Sequence, residues 1–148
     1  MFTDPAIAYE AYAQEFLRAR DASTIGSSVV EQWARTLPMG AEVIELGCGA
    51  GYPVTRTLHA AGLKLWAIDS SVSLVAEVNR RFPSVPVQCE KVQGSNFFNR
   101  TYHEAVAVVC HSLGRARYES CLNAVGLRIV GTFVHKGENN YFDAERTS

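Results

Sequence analysis

The sequence predicts a three-layer α/β protein: a mostly parallel sheet with helices on both faces and an antiparallel hairpin at its C-terminal edge. Three observations lead there. Helix and strand signals alternate along the chain, the pattern that builds a parallel sheet covered by helices. Glu104 to Cys110 is apolar on both faces, as a strand buried from two sides must be. Glu42 to Leu46 runs directly into a glycine-rich turn and then into a helix.

Each element has its own signals. Asp4-Pro5 opens a first helix, Asp as cap and Pro in the first turn, with Ile7, Ala8, Ala11, Tyr12 and Ala13 on its apolar face. A second helix is expected from Ser28, where Ser28-Val29-Val30-Glu31 reads as a capping box. Val30, Trp33, Ala34 and Leu37 form its buried stripe and Pro38 ends it. Glu42 to Leu46 is the first strand. Pro53 and Gly62 bound a third helix over Thr55 to Ala61. Leu63 to Ile68 is the second strand, ending at Asp69. Ser71 caps a helix through Arg81 whose Val72, Val75, Ala76 and Val78 are expected to face inward, and Phe82-Pro83 stops it. Val85 to Cys89 and Glu104 to Cys110 are the third and fourth strands. Arg115 to Val125 read as a helix capped by Gly126. Leu127 to Val134 and Asn140 to Ala144 then read as a hairpin around His135 to Asn139.

Bulk properties narrow the function. The 148 residues suffice for one core, so a single domain over 1–148 is expected. Hydrophobic residues at 47% and charged residues at 20% describe an ordinary globular chain. A net charge of −1 argues against nucleic acid as partner, because phosphate binding needs a basic surface. No apolar run approaches the roughly eighteen residues of a membrane span. Met1-Phe2-Thr3-Asp4-Pro5 lacks the basic-then-apolar layout of a signal peptide, so the expected address is the cytoplasm. Cys48, Cys89, Cys110 and Cys121 are scattered with no nearby pair or histidine at metal-ligand spacing, so four unpaired thiols and no metal are expected.

The stretch Val43-Ile44-Glu45-Leu46-Gly47-Cys48-Gly49-Ala50-Gly51 carries the chemistry. Glycines let the backbone bend sharply and let a ligand approach where a Cβ would stand. The helix beyond adds oriented N–H groups suited to a carboxylate or phosphate. A dinucleotide site needs its third glycine at position 52, which is Tyr52, and a pyrophosphate would meet the carboxylate of Glu45 at the strand end. Gly51 instead makes the spacing G-x-G-x-G. One strand-helix-strand unit later, Leu65-Trp66-Ala67-Ile68-Asp69 ends a strand on a carboxylate, the placement that accepts hydrogen bonds from a ribose diol.

Together these two segments resemble the first and second motifs of class I S-adenosylmethionine-dependent methyltransferases, which implies a Rossmann-like fold with S-adenosylmethionine as cofactor. The resemblance implies cofactor contacts from Glu45, Gly47, Cys48, Gly49 and Gly51 at the methionine side. It implies Asp69 at the ribose and Ser70 at the adenine edge. Tyr9 to Phe16 resemble the helical cap of small bacterial members, with Tyr9 and Arg18 as contacts, so residues 1–40 are expected to be the cap. Glu90-Lys91-Val92-Gln93 stand where the family's third loop reads adenine, which adds Val92 and Gln93. Tyr102-His103-Glu104-Ala105-Val106-Ala107-Val108 is similar to the family's F-D-A-V-x-x strand with Glu104 for Asp, and Cys110 follows it. Residues 41–110 would then be the cofactor-binding half.

The resemblance breaks after His111. The family's next helix and its fifth strand, introduced by a Pro-Gly-Gly turn, have no counterpart, so 111–148 reads as a shortened C-terminal helix and hairpin in a truncated sheet of about six strands. The fourth strand then needs a new neighbour. Either the hairpin moves over to pair with it, or two chains form a homodimer in which each completes the other's sheet. Methyl transfer from a sulfonium needs an acceptor held in line and sometimes a base. His111 is the candidate base, with a structural loop histidine as the alternative. A methyltransferase with a small-molecule acceptor is the leading expectation. A binding protein for S-adenosylmethionine or S-adenosylhomocysteine without catalysis comes second, and a dinucleotide-binding oxidoreductase third.

Overall fold

The computed structural model describes residues 7, 10–24, 27–109, 123, 127–134 and 140–146. Its elements are α1 (Ala13–Asp21), α2 (Ser27–Ala34), β1 (Glu42–Leu46), α3 (Val54–Ala60), β2 (Lys64–Asp69), α4 (Val72–Arg81), β3 (Val87–Cys89), β4 (Glu104–Val109), β5 (Leu127–Val134) and β6 (Asn140–Arg146). Two single-turn 3-10 segments, Val92–Gly94 and Phe97–Asn99, lie between β3 and β4.

The strands form one sheet in the order β3-β2-β1-β4-β6-β5. β3, β2, β1 and β4 are parallel, with Ile44 of β1 level with Trp66 of β2 and Ala105 of β4. β6 lies antiparallel against β4, from Glu104–Glu145 to Val109–Asn140, and β5 lies antiparallel against β6. The chain leaves β1 towards β2 on one side and returns to β4 on the other, so the sheet's switch point lies beside β1.

Alternation along each strand sends Val43, Leu65, Ala67 and Val106 to one face, where they join Val30 and Ala34 of α2, Val54 and Leu58 of α3, and Val78 of α4 in the main core. On the opposite face Ile44, Leu46 and Ile68 are fully buried. There Tyr102, 1% exposed, meets the edge of Trp66 and donates its hydroxyl to the carbonyl of Phe97 at 2.7 Å. Among the described residues, the helices that contribute to the main core lie on the first face. The expected helix over Arg115 to Val125 falls outside the described residues apart from position 123.

Two local expectations need correction. In α4, Val72 is 67% exposed and Ala76 is exposed, whereas Leu74, Val75 and Val78 are buried. Ser71 caps this helix as expected, accepting from the Leu74 N–H at 3.2 Å, and that start sets a helical phase that turns 72 and 76 outwards. The capping box at Ser28 does not form either. The helix begins at Ser27, which places Ser28 inside the first turn, and Glu31 pairs with Arg35 one turn on.

Candidate functional site

The site lies at the C-terminal ends of β1 and β2, where the glycine turn faces Asp69. After Leu46 the backbone turns through Gly47 (φ +76°), Gly49 (+56°) and Gly51 (+91°). The N–H groups of Gly47 and Cys48 both donate to the Ile68 carbonyl, at 2.8 and 3.1 Å, which ties the turn to the end of β2. Gly47 is exposed, while Cys48, Gly49 and Ala50 are buried.

The glycines serve different ends. At Gly49 a Cβ would reach 3.5 Å from the Phe16 ring of α1, ordinary contact, so it is the positive φ that favours glycine here. At Gly51 a Cβ would stand 2.7 Å from the Phe82 ring and 3.1 Å from Val78. Gly51 therefore lets the end of α4 close against the turn, and the side-chain space it leaves belongs to the protein's own core.

Asp69 joins the turn to α4. Its Oδ2 accepts from the Gly49 N–H at 2.8 Å and its Oδ1 from the Ser71 N–H at 2.9 Å. Burial raises its carboxyl pKa against the lowering effect of these bonds. The Ser70 N–H also acts on this carboxylate, which with about four acceptor sites keeps capacity beyond the three backbone donors, and the residue is only partly buried, so a ribose diol is a chemically suited partner. Ser70 beside it is half-buried. The Glu90 N–H donates to the Asp69 carbonyl at 2.9 Å, which brings the loop carrying Val92 and Gln93 to the same rim. Val92 packs inwards at 8% exposure and Gln93 faces solvent.

Other expected contacts are placed elsewhere. Glu45 is 1% exposed, and its Oε2 accepts from the Thr55 hydroxyl of α3 at 2.6 Å. Burial pushes its carboxyl up to about 8, so it is held largely protonated at neutral pH beneath the turn. Cys48 points its thiol into the main core, where burial raises its pKa well above the usual range, so only its backbone lines the turn. Arg18 lies exposed on α1, whereas Arg20 is half-buried and lies near enough for its charge to act on Glu45. Tyr9, Cys110 and His111 lie outside the described residues.

The structure also assembles partners that sequence spacing did not disclose. Glu10 accepts from the Ser71 hydroxyl and from the Ser73 N–H and hydroxyl, at 2.5, 3.1 and 2.5 Å, and the Ser71 bond leads in holding its carboxyl below the usual range. Arg81 binds Asp21 through both terminal nitrogens at 2.9 and 2.7 Å, reaches the Ala50 carbonyl at 3.2 Å, and stacks 4.1 Å over Tyr52. Ser71 was legible as a helix cap. Its partner Glu10 stands 61 residues away, beyond any local pattern.

A parallel Rossmann-like sheet whose first strand ends in a glycine turn, braced by a carboxylate at the end of the second, is the fold of class I S-adenosylmethionine-dependent methyltransferases. Solved structures with that fold superpose along most of the chain. A TehB-like S-adenosylmethionine-dependent methyltransferase from Corynebacterium glutamicum is 16% identical with TM-score 0.64, covering 98% of this chain and 100% of that one. The magnesium protoporphyrin IX methyltransferase of Synechocystis PCC 6803 with bound S-adenosylhomocysteine is 12% identical with TM-score 0.65, covering 97% and 100%. The sugar N-methyltransferase KedS8 of Streptoalloteichus is 12% identical with TM-score 0.63, covering 92% and 93%. At these identities the likeness is one of fold. No protein-family model matches the sequence, and no curated protein matches it.

Proposed function

We propose that this chain binds S-adenosylmethionine in the crevice between the Gly47–Gly51 turn and Asp69, and transfers its methyl group to a small-molecule acceptor. The observation that carries the reading is the hydrogen bond from Gly49 N–H to Asp69 Oδ2. It ties the buried middle of the glycine turn to the carboxylate ending β2, next to the exposed Gly47 and beside the sheet's switch point, where α/β folds take their ligands. When bound, the cofactor supplies an electrophilic methyl on sulfur. The chain's own residues contribute acceptance of ribose hydroxyls at Asp69 and an exposed backbone at Gly47. Among the structural neighbours, those named for a porphyrin and a sugar act on small acceptors, and others are a ribosomal protein L11 methylase and a putative RNA methyltransferase. The net charge of −1 favours a small acceptor over RNA for this chain.

A second reading, a cofactor-binding protein without transfer, has a specific observation in its favour. β6 sits directly beside β4, so among the described residues no parallel strand follows β4 where the family has its fifth. The same pairing gives β4 a neighbour from its own chain, which supports a monomer over an exchanged dimer.

Titration calorimetry tests the cofactor. S-adenosylhomocysteine and S-adenosylmethionine are expected to bind and NAD is not. Asp69→Ala should weaken binding about tenfold or more, the loss of one charge-assisted hydrogen bond. NAD binding with neither sulfur compound taken up would overturn the assignment. An acceptor screen that follows S-adenosylhomocysteine release then separates transfer from binding alone.

A further inference from the structure

Glu45 carries a carboxyl where the fold gives a carboxylate little support. It stands next to last on β1, two residues before the exposed Gly47. Its side chain is buried, and its neighbours in the sheet are Ala67 of β2 and Val106 of β4, both buried and apolar. The hydroxyl of Thr55, itself fully buried on α3, donates to it at 2.6 Å. Two charges reach it. Asp69 at the end of β2 opposes its ionisation, and Arg20 of α1 favours it from a distance, without an ion pair. The Cys48 thiol beside it is buried and neutral. Burial leads in raising the Glu45 carboxyl to about 8, Asp69 adds to the rise, and the Thr55 hydroxyl and Arg20 offset part of it. The free protein therefore keeps a proton on Glu45 at neutral pH.

We propose that Glu45 makes the glycine turn selective for positive charge: a cation seated over Gly47 drives the Glu45 proton into solvent, and an uncharged ligand leaves it in place. Glu45 acts here as a specificity-determining residue through its charge, from beneath the turn. Two peptide steps of about 3.8 Å join Gly47 to Glu45, so a cation over Gly47 lies within about 10 Å of the carboxyl. Attraction at that range through a protein interior is equivalent to roughly tenfold in affinity. The inference rests on the cofactor reading and sharpens it. S-adenosylmethionine carries a sulfonium, and S-adenosylhomocysteine carries an uncharged thioether in the same frame. One proton leaves for solvent when the sulfonium binds, and one returns to Glu45 once the bound sulfur has lost its charge. The turn thus holds the methyl donor in preference to the demethylated product, and the preference grows as pH rises towards 8.

Titration calorimetry with both nucleosides at pH 6.5 and 8.5 tests this. The ratio of dissociation constants, thioether over sulfonium, should rise about fivefold more in the wild type than in Glu45→Gln, where the ligands' own groups titrate unchanged. Repeating the titrations at pH 7.5 in buffers of different ionisation enthalpy should show more protons released on sulfonium binding in the wild type than in the variant. Thr55→Val removes the donor that favours the carboxylate and leaves Glu45 in place, so the rise by pH 8.5 should be smaller than in the wild type. This arm stands even where Glu45→Gln unfolds. A ratio that climbs equally in the wild type and in either variant overturns the charge selectivity and leaves the cofactor reading intact. Binding of neither nucleoside overturns both.

Discussion

At the scale of single residues, the turn separates glycines that look alike in sequence. Gly49 and Gly51 both have positive φ, yet an added methyl meets ordinary contact at the first and a ring at 2.7 Å at the second. Gly49→Ala should cost about 1 kcal/mol of stability from backbone strain alone. Gly51→Ala should cost about 3 kcal/mol, because Phe82 is packed in the core and has little room to yield. Chemical denaturation of the two variants checks the order, and equal losses would contradict the packing role of Gly51. Glu45 makes the second prediction at this scale. Its folded pKa of about 8 lies above the ordinary 4.5, so the folded state holds the proton more tightly. Its contribution to stability is therefore intact below about pH 4.5 and is lost as pH rises through 8, with a slope approaching about 1.4 kcal/mol per pH unit within that window. Glu45→Gln keeps the hydrogen bond with Thr55 and removes the titration. Stability between pH 5 and 9 should fall less steeply in this variant than in the wild type, and parallel curves would refute the assignment.

At the scale of elements, α4 is the member that binds the others together. Its first turn holds Glu10 through Ser71 and Ser73, its buried residues Leu74 and Val78 meet α1 and the sheet respectively, and its last residue holds Asp21. Arg81→Ala should therefore loosen α1 as well as α4, at a cost of about 2–3 kcal/mol from a nearly buried cation with several acceptors. Helical circular dichroism should fall along with the unfolding midpoint, and a variant as stable as wild type would show the contacts to be idle. The ends of α4 were legible, since Ser71 at its start and Phe82-Pro83 at its close are strong local signals. Its inward face was not. Val72 and Ala76 are as apolar by type as the buried Val75, and only the packing of the finished helix distinguishes them. The same limit hid Glu10 and Arg81, whose charges make sense only beside partners some sixty residues away.

At the scale of the molecule, the parallel half was the readable half. The apolar runs of β1, β2 and β4, the glycine turn and Asp69 follow one another with local punctuation, and local chemistry determines them. The order β1-β4-β6 is a different kind of fact, because it depends on which strand edge finds a partner once the chain has collapsed. Joining the two halves through β4 makes the crevice part of one cooperative unit: the turn hangs on β1, Asp69 on β2, and both strands share the core with α2, α3 and α4. A ligand that binds this crevice only in the folded state must then raise the stability of the whole domain. At a concentration one hundred times its dissociation constant the gain is about 2.7 kcal/mol. For a domain of this size each kcal/mol moves the midpoint by about 2–4 °C, so S-adenosylhomocysteine should raise the melting temperature by roughly 5–10 °C. Asp69→Ala, melting from its own lower baseline, should show little of that rise at the same concentration. Scanning fluorimetry with S-adenosylhomocysteine and NAD side by side measures this directly. A shift with NAD alone would overturn the cofactor assignment, and an equal shift in Asp69→Ala would place the ligand away from the glycine turn.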